Sequence, residues 1–317
     1  MLEQLQEMQS KLELVLSNIE RVVIGKREVA TLSLVALLAE GHVLLEDVPG
    51  VGKTMMVKAL AKSIHTDFKR IQFTPDLLPS DVTGVSIYNP KEMEFHYRPG
   101  PIMSHLVLAD EINRTSPKTQ SALLEAMEEG NVTTDGITRS LPKPFFVMAT
   151  QNPIEFDGTY NLPEAQLDRF LFRLHMGYPT MGEEVEILNR LANREPIEEL
   201  SPVIDINELQ IIQQKVKEVY VDDTVKRYIV EIVDRTRKDN HVYLGVSPRG
   251  SVALMKAAQA YSLLQGRDYC IPDDVQYLAQ PVLAHRMTLR PEAKYEGKKA
   301  EDIIKNILAK VYVPIKR

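Results

Sequence analysis

Apolar residues recur at three- and four-residue intervals at the start of the chain: Leu2, Leu5, Met8, Leu12, Val15, Ile19 and Val22. That spacing puts them on one face of a helix, so residues 1–24 are expected to form an N-terminal amphipathic helix packed on the core. Its polar face is not rich in Lys or Arg, which favours packing on protein over lying on a membrane. The pattern then changes. Continuous apolar runs, Val43-Leu44-Leu45, Leu106-Val107-Leu108-Ala109 and Phe145-Phe146-Val147-Met148-Ala149-Thr150, alternate with helical stretches between Val23 and Tyr178. Strands apolar on both faces and separated by helices predict an α/β core over residues 25–178, with a parallel sheet covered on both sides.

Two insertions interrupt this alternation. In Phe73 to Pro101, Val85-Ser86-Ile87-Tyr88 and Glu94-Phe95-His96-Tyr97 flank Asn89-Pro90 and read as hairpin strands. In Asn131 to Pro144, Asp135-Gly136 separates Val132-Thr133-Thr134 from Ile137-Thr138-Arg139, a strong hairpin signal. Both are either plain surface hairpins or elements that line a pore or touch a partner protein. After Tyr178-Pro179-Thr180 the pattern turns wholly helical, with starts expected near Gly182, Asp205, Asp222, Ser247, Pro272 and Lys299. Residues 179–317 are thus expected to form a small all-α domain.

The chemistry sits at the ends of the apolar runs. After the first comes Glu46-Asp47-Val48-Pro49-Gly50-Val51-Gly52-Lys53-Thr54, then the helix-like Met55-Met56-Val57-Lys58-Ala59-Leu60-Ala61. Strand, Gly-rich turn and helix make a phosphate-binding loop: free N–H groups at the helix start face an anion, and Gly52 lets the backbone approach it. Lys53 would neutralise the terminal phosphates and Thr54 would hold magnesium. Asp47 stands where a first glycine is usual. The second run ends in Asp110-Glu111, at the strand edge where such sheets bind ligands. Asp110 would orient magnesium through its water shell, and Glu111 would polarise the attacking water. The third ends at Gln151-Asn152-Pro153, where Asn152 either positions water or a phosphate oxygen or serves ordinary turn chemistry.

Two arginines lie further on. In Leu162-Pro163-Glu164-Ala165-Gln166-Leu167-Asp168-Arg169-Phe170, Arg169 either pairs with Asp168 on the surface or projects toward the nucleotide of a neighbouring subunit. In Gly245-Val246-Ser247-Pro248-Arg249-Gly250, Arg249 falls in the first turn of a helix, where a cation opposes the helix dipole. That local cost implies an anionic partner, such as a phosphate.

These stretches, together with "LADEINRTSPKTQSALLEAMEE" and "ATQNPIEFDGTYNLPEAQLDRF", resemble the AAA+ ATPases, and the MoxR family in particular, over nearly the whole chain. The resemblance implies an AAA+ P-loop core with hairpin insertions followed by a helical lid. Asp47 is common at its position in that family. By resemblance, Pro49, Gly50, Val51, Gly52, Lys53, Thr54 and Met55 hold the phosphates of ATP or ADP. Asp110 and Glu111 are then the Walker B pair, Asn152 the first sensor, Arg169 the arginine finger supplied in trans, and Arg249 the second sensor, carried by the lid onto the nucleotide. Arg114 and Arg173 lie in neighbouring positions open to the finger role. Val23-Ile24-Gly25 matches the segment that borders the adenine. The family implies ATP hydrolysis with Mg2+ in a hexameric ring that remodels or activates a partner, which often carries a von Willebrand factor A domain. Other hairpin-bearing AAA+ motors, a metal-chelatase subunit or a nucleic-acid translocase, and a slow nucleotide-gated scaffold are the alternatives.

Composition narrows these. At 317 residues, 44% hydrophobic and 26% charged, the chain can bury a substantial core and has an ordinary globular balance. No apolar run approaches the roughly 20 residues that span a bilayer, and the Gln- and Glu-rich start does not read as a signal peptide. Cys270 is the single cysteine, which excludes an internal disulfide and fits a reducing cytoplasm. The net charge of −6 carries a mild basic excess only toward the C-terminus. Without a basic stripe, nucleic acid is not the expected partner. The seven His show no metal-ligand spacing, so magnesium held with nucleotide is the only metal expected.

Overall fold

A computed structural model describes residues 2–46, 50–152, 159–191 and 196–314. Helix α1 (Leu2–Val22) and helix α2 (Arg27–Leu38) precede the core. The core then runs β1 (Val43–Glu46), α3 (Lys53–Ser63), β2 (Phe68–Gln72), α4 (Pro79–Thr83), β3 (Gly84–Asn89), β4 (Glu94–Pro99) and β5 (Leu106–Asp110). After a 3-10 turn at Ile112–Arg114 come α5 (Pro117–Glu129), β6 (Asn131–Thr134), β7 (Ile137–Ser140), β8 (Phe146–Gln151), α6 (Glu164–Leu167) and β9 (Phe172–Leu174). Five strands form one sheet in the order β2-β5-β8-β1-β9, every neighbouring pair parallel. All five therefore end on the same edge.

The three apolar runs are β1, β5 and β8, the middle of the sheet, buried on both faces as expected of a covered parallel sheet. Helix α5 shows why the boundaries fall where they do. Ser116 caps its start by accepting from the Thr119 N–H, Pro117 occupies the first turn, and Gly130 closes it at φ 65°. Both expected hairpins form, β3–β4 and β6–β7. Asp135 and Gly136 both take positive φ, which matches the twist of the strands they join.

The C-terminal part comprises α7 (Met181–Leu191), α8 (Ile206–Glu218), α9 (Asp223–Lys238), α10 (Pro248–Leu264), α11 (Pro272–Leu283), α12 (Pro291–Tyr295) and α13 (Ala300–Lys310). Asp205 and Asp222 cap α8 and α9 with their carboxylates. One detail departs from a wholly helical reading: β10 (Val242–Leu244) pairs antiparallel with β11 (Thr288–Leu289). These strands of three and two residues are too short to leave a period in the sequence.

Helix α1 buries Leu12, Val15, Leu16 and Ile19 against α2, α3 and α10, so it touches the lid as well as the core. Asn18 Nδ2 donates to Ser63 Oγ at 3.2 Å and to the Ser201 carbonyl at 3.0 Å across the same junction. One apolar cluster runs continuously from Leu5 to Val311, and a second covers the other sheet face around Phe73, Leu123 and Phe170.

His42 locks α5 to the amino edge of the sheet. The Val147 N–H donates to Nδ1 at 3.1 Å, which leaves the proton on Nε2, 3.3 Å from the Met127 carbonyl. Burial pushes the imidazole pKa down to about 4. The folded pKa lies below the unfolded one, so the neutral ring's contribution is complete above about pH 6.5 and is lost as pH falls toward 4. The loss attributable to His42 is expected to be about 3 kcal/mol. Urea unfolding of the native chain and of His42→Asn at pH 7.5 and pH 4.5 checks this. Equal pH dependence in both would refute it.

Candidate functional site

The phosphate loop lies between β1 and α3. Gly50 (φ 87°) and Gly52 (φ 94°) both occupy the left-handed region that favours glycine, and Gly52 immediately precedes the first turn of α3. Lys53 and Thr54 open that helix, where free N–H groups and the positive dipole end favour an anion. Asp47 and Pro49 lie outside the described residues. A cavity of about 240 Å³ opens here, lined by Gly50, Gly52, Lys53, Thr54, Met55, Asp110, Glu111 and Asn152, with Arg70 and Gln72 added from β2. The carboxyl ends of β1, β2, β5 and β8 thus converge on one cleft.

Its acidic pair is held from several directions. Thr150 Oγ1, at the end of β8, donates to Asp110 Oδ1 at 2.6 Å and accepts from the Glu111 N–H at 2.9 Å. Glu111 sits in the left-handed region, φ 57° and ψ 49°, a strained conformation for a non-glycine residue that aims its side chain into the cleft. Its Oε2 accepts from Gln72 Nε2 at 2.8 Å and from Arg114 Nη1 at 3.0 Å. Arg70 donates to Asp110 Oδ2 from Nε at 3.2 Å and Nη2 at 2.5 Å, and Nη2 also donates to Gln72 Oε1 at 2.8 Å. A chain of polar contacts therefore runs Asp110–Arg70–Gln72–Glu111–Arg114. Asn152 is buried at the end of β8, and its carbonyl accepts from Asn113 Nδ2 at 3.2 Å.

The donor set suits a hard divalent cation. The Thr54 hydroxyl and Asp110 carboxylate could supply oxygen ligands, and Asp110 already faces the positive charge of Arg70. Among the described residues no cluster of three or more His, Cys, Asp or Glu forms a separate metal site. On the side of the cleft nearer the N-terminus, Val23 is buried, and a β-carbon at Gly52 would lie 3.7 Å from Val23 Cγ1 and 4.0 Å from Met176 Cε. Gly25 takes φ 73° with the Glu183 side chain packed over it. Val23-Ile24-Gly25 thus follows α1 beside the helix that carries Lys53, while Val51 and Met55 pack partly buried against the main core.

The two distal arginines are elsewhere. Arg169 Nε lies 3.0 Å from Glu128 Oε2, a charge contact without hydrogen-bond alignment, and Arg249 Nη2 lies 3.0 Å from Glu128 Oε1. Glu128 belongs to the last turn of α5, next to the Met127 that His42 holds at the amino edge of the sheet. Arg249 therefore does not line the phosphate cleft of its own chain. The packing of α10 on α2, α8, α9 and α11 brings its first turn to the end of α5 instead. The expected anionic partner of Arg249 is a carboxylate. The Asp168–Arg169 surface pair does not form, because Asp168 pairs with Arg286 at 2.7 Å. Arg114 is engaged by Glu111 and Arg173 by Glu46, which separates both from Arg169.

Arg70, Gln72, Thr150 and Glu128 escaped the sequence reading. Thr150 ends the third apolar run directly before Gln151-Asn152, and that position was its one visible signal. Arg70 and Gln72 lie on the edge strand β2 and Glu128 in the last turn of α5, and none of the three stands in a motif that marks it.

A parallel sheet with a phosphate loop at one central strand, an acidic pair at the next but one, and a helical lid defines a P-loop ATPase of the AAA class. The model of the "ATPase family associated with various cellular activities (AAA)" matches residues 42–172, and an AAA lid domain model matches residues 234–307. An uncharacterized protein, YeaC of Bacillus subtilis, is 68% identical over 95% of this chain and 94% of its own. Chaperone MoxR1 of Mycobacterium tuberculosis is 41% identical over 96% of this chain and 82% of its own. A Cytophaga hutchinsonii protein solved as a candidate ATPase superposes with a TM-score of 0.92 at 38% identity, covering 99% of this chain and 98% of that one. The chain belongs to the MoxR family of AAA+ ATPases.

Thr150→Val removes one hydroxyl that fixes both acids while keeping the side-chain shape. Turnover of ATP is expected to fall on the order of 10–100-fold with nucleotide affinity little changed, since small displacements of positioned groups cost that much. Steady-state kinetics beside nucleotide titration measures both. Unchanged turnover would show that Thr150 positions neither carboxylate.

Proposed function

We propose that the chain hydrolyses ATP with Mg2+ at sites shared between neighbouring subunits of a hexameric ring, and that the cycle remodels or activates a partner protein in the cytoplasm. The observation that carries this reading is the meeting of Arg169 and Arg249 at Glu128, on the sheet edge opposite the phosphate cleft. Two guanidinium groups that share one carboxylate leave a net positive charge there. Nucleotide phosphates of an adjacent chain are the anions that would use it, and head-to-tail contacts of this kind close into rings. In each cleft Thr54 and Asp110 would hold the magnesium ion, which supplies charge neutralisation at the phosphates. Lys53 binds the terminal phosphates, Glu111 accepts the proton of the attacking water, and Asn152 orients it. Val23, Ile24 and Gly25 border the base.

The partner-facing element in this reading is the β3–β4 hairpin. It exposes Met93 (77%) and Phe95 (72%) beside Tyr88, whose ring packs at a tilt against Phe95 at 5.3 Å between centroids. Solvated aromatic surface on a rigid hairpin suits an apolar segment of a protein client. A von Willebrand factor A domain is the partner class the family suggests.

Lys53→Ala is expected to abolish nucleotide binding, while Glu111→Gln binds ATP and fails to hydrolyse it. Arg169→Ala and Arg249→Ala should each retain nucleotide binding and lose about 10³-fold or more in turnover. Mixing either arginine variant with Glu111→Gln should restore part of the activity, because the Glu111→Gln subunits bring intact arginines to the variants' intact clefts. No restoration with Arg249→Ala would place its action on its own nucleotide. No restoration with Arg169→Ala would reject the shared site.

A further inference from the structure

Arg169 and Arg249 come from distant parts of the chain, yet a third arginine binds the main chain beside the first and lies against Gly250, next to the second. Arg286 ends the 3-10 turn Ala284–Arg286 between α11 and β11, and its side chain is only 4% exposed. Its Nε donates to Asp168 Oδ1 at 2.7 Å, Nη2 to the carbonyls of Asp168 at 3.2 Å and Phe170 at 2.8 Å, and Nη1 to the Leu171 carbonyl at 3.2 Å. One guanidinium thus grips the main chain on both sides of Arg169. The adjacent His285 adds Nε2 at 3.0 Å from the Phe170 carbonyl. On its other side the Arg286 stem meets α10. A β-carbon at Gly250, the residue after Arg249, would lie 3.3 Å from Arg286 Cδ and 2.2 Å from Val246 Cγ1.

A buried charge is retained at a cost unless paired and fully hydrogen-bonded, as this one is. A rigid five-donor fork is the side chain able to bind a carboxylate and several carbonyls at once. We infer that Arg286 is a positioning residue for the shared site: it fixes the Arg169 segment and the first turn of α10 against each other, and so sets the separation at which both arginines reach a neighbour's nucleotide. This inference rests on the shared-site reading above. Because Arg286 belongs to the lid and Asp168 to the core, any lid movement that shifts the turn also shifts Arg169. The lid of one chain would then signal to the nucleotide of the next.

A purely structural role for Arg286 predicts damage to its own chain's cleft, whereas a positioning role predicts damage only to the neighbour's. Arg286→Lys keeps a cation for Asp168 and loses the fork. It is expected to bind a fluorescent ADP analogue with native affinity and to lose on the order of 10–100-fold in turnover. Mixing with Glu111→Gln protein should restore that turnover, since those subunits supply well-placed arginines to the clefts of Arg286→Lys. Asp168→Asn is expected to behave alike with a smaller loss, and it carries the test if Arg286→Lys does not fold. Loss of nucleotide affinity would overturn the inference. So would failed restoration in mixtures where Arg169→Ala is restored, leaving the shared site standing. If Arg169→Ala is not restored either, the shared site and the positioning role fall together.

Discussion

Five parallel strands end on one edge of the sheet, and the rest of the molecule is arranged around that fact. The carboxyl edge gathers Lys53, Thr54, Asp110, Glu111 and Asn152 from three separate strand ends into one cleft. The helices that return from that edge deliver their C-termini to the opposite one. Helix α5 does so with Glu128, which becomes the meeting point of Arg169 and Arg249. The same topology that builds an acidic, phosphate-holding edge therefore builds a cationic edge facing away from it. A single chain cannot bring the two together, and in the proposed ring a neighbour does.

Charge explains how the side chains of each edge are kept in order. At the carboxyl edge Arg70 neutralises Asp110, while Gln72 and Arg114 occupy Glu111. In the proposed cycle a magnesium nucleotide would bring a cation for Asp110 to face in place of Arg70. At the amino edge one carboxylate serves two guanidinium groups that are partly exposed, Arg249 at 67%. Such solvated pairs are weak, about 0–1 kcal/mol each, and a polyphosphate of higher charge can displace them. The buried Arg286–Asp168 pair is different in kind. Its guanidinium is buried, multiply hydrogen-bonded and costly to leave half-paired, which suits a fixed joint between lid and core.

Much of this was legible in the sequence because it rests on local rules. Apolar runs of strand length, the Gly50 and Gly52 turn, the Asp135-Gly136 hairpin and the capping Asp205 and Asp222 each act within a few residues. The cleft residues were legible for the same reason, standing at the end of an apolar strand or in the glycine-rich turn and helix start that follow one. What depended on tertiary placement was not. Arg249 announced an anionic partner through its position in a helix first turn, but only the packing of α10 shows the partner to be Glu128. Thr150 and Arg70 gain their roles from parallel register, β8 and β2 each lying beside β5, which no local pattern encodes. Arg286 stands 118 residues from Asp168 in an unremarkable stretch, so its contacts were invisible until the chain was folded.

In the proposed ring each catalytic site is completed by a second chain. Turnover per chain measured over a dilution series, beside nucleotide binding and particle mass at the same concentrations, tests it most directly. Turnover is expected to fall in step with loss of the assembly while nucleotide binding per chain persists. A dissociated single chain that hydrolyses ATP at the undiluted rate would contradict it.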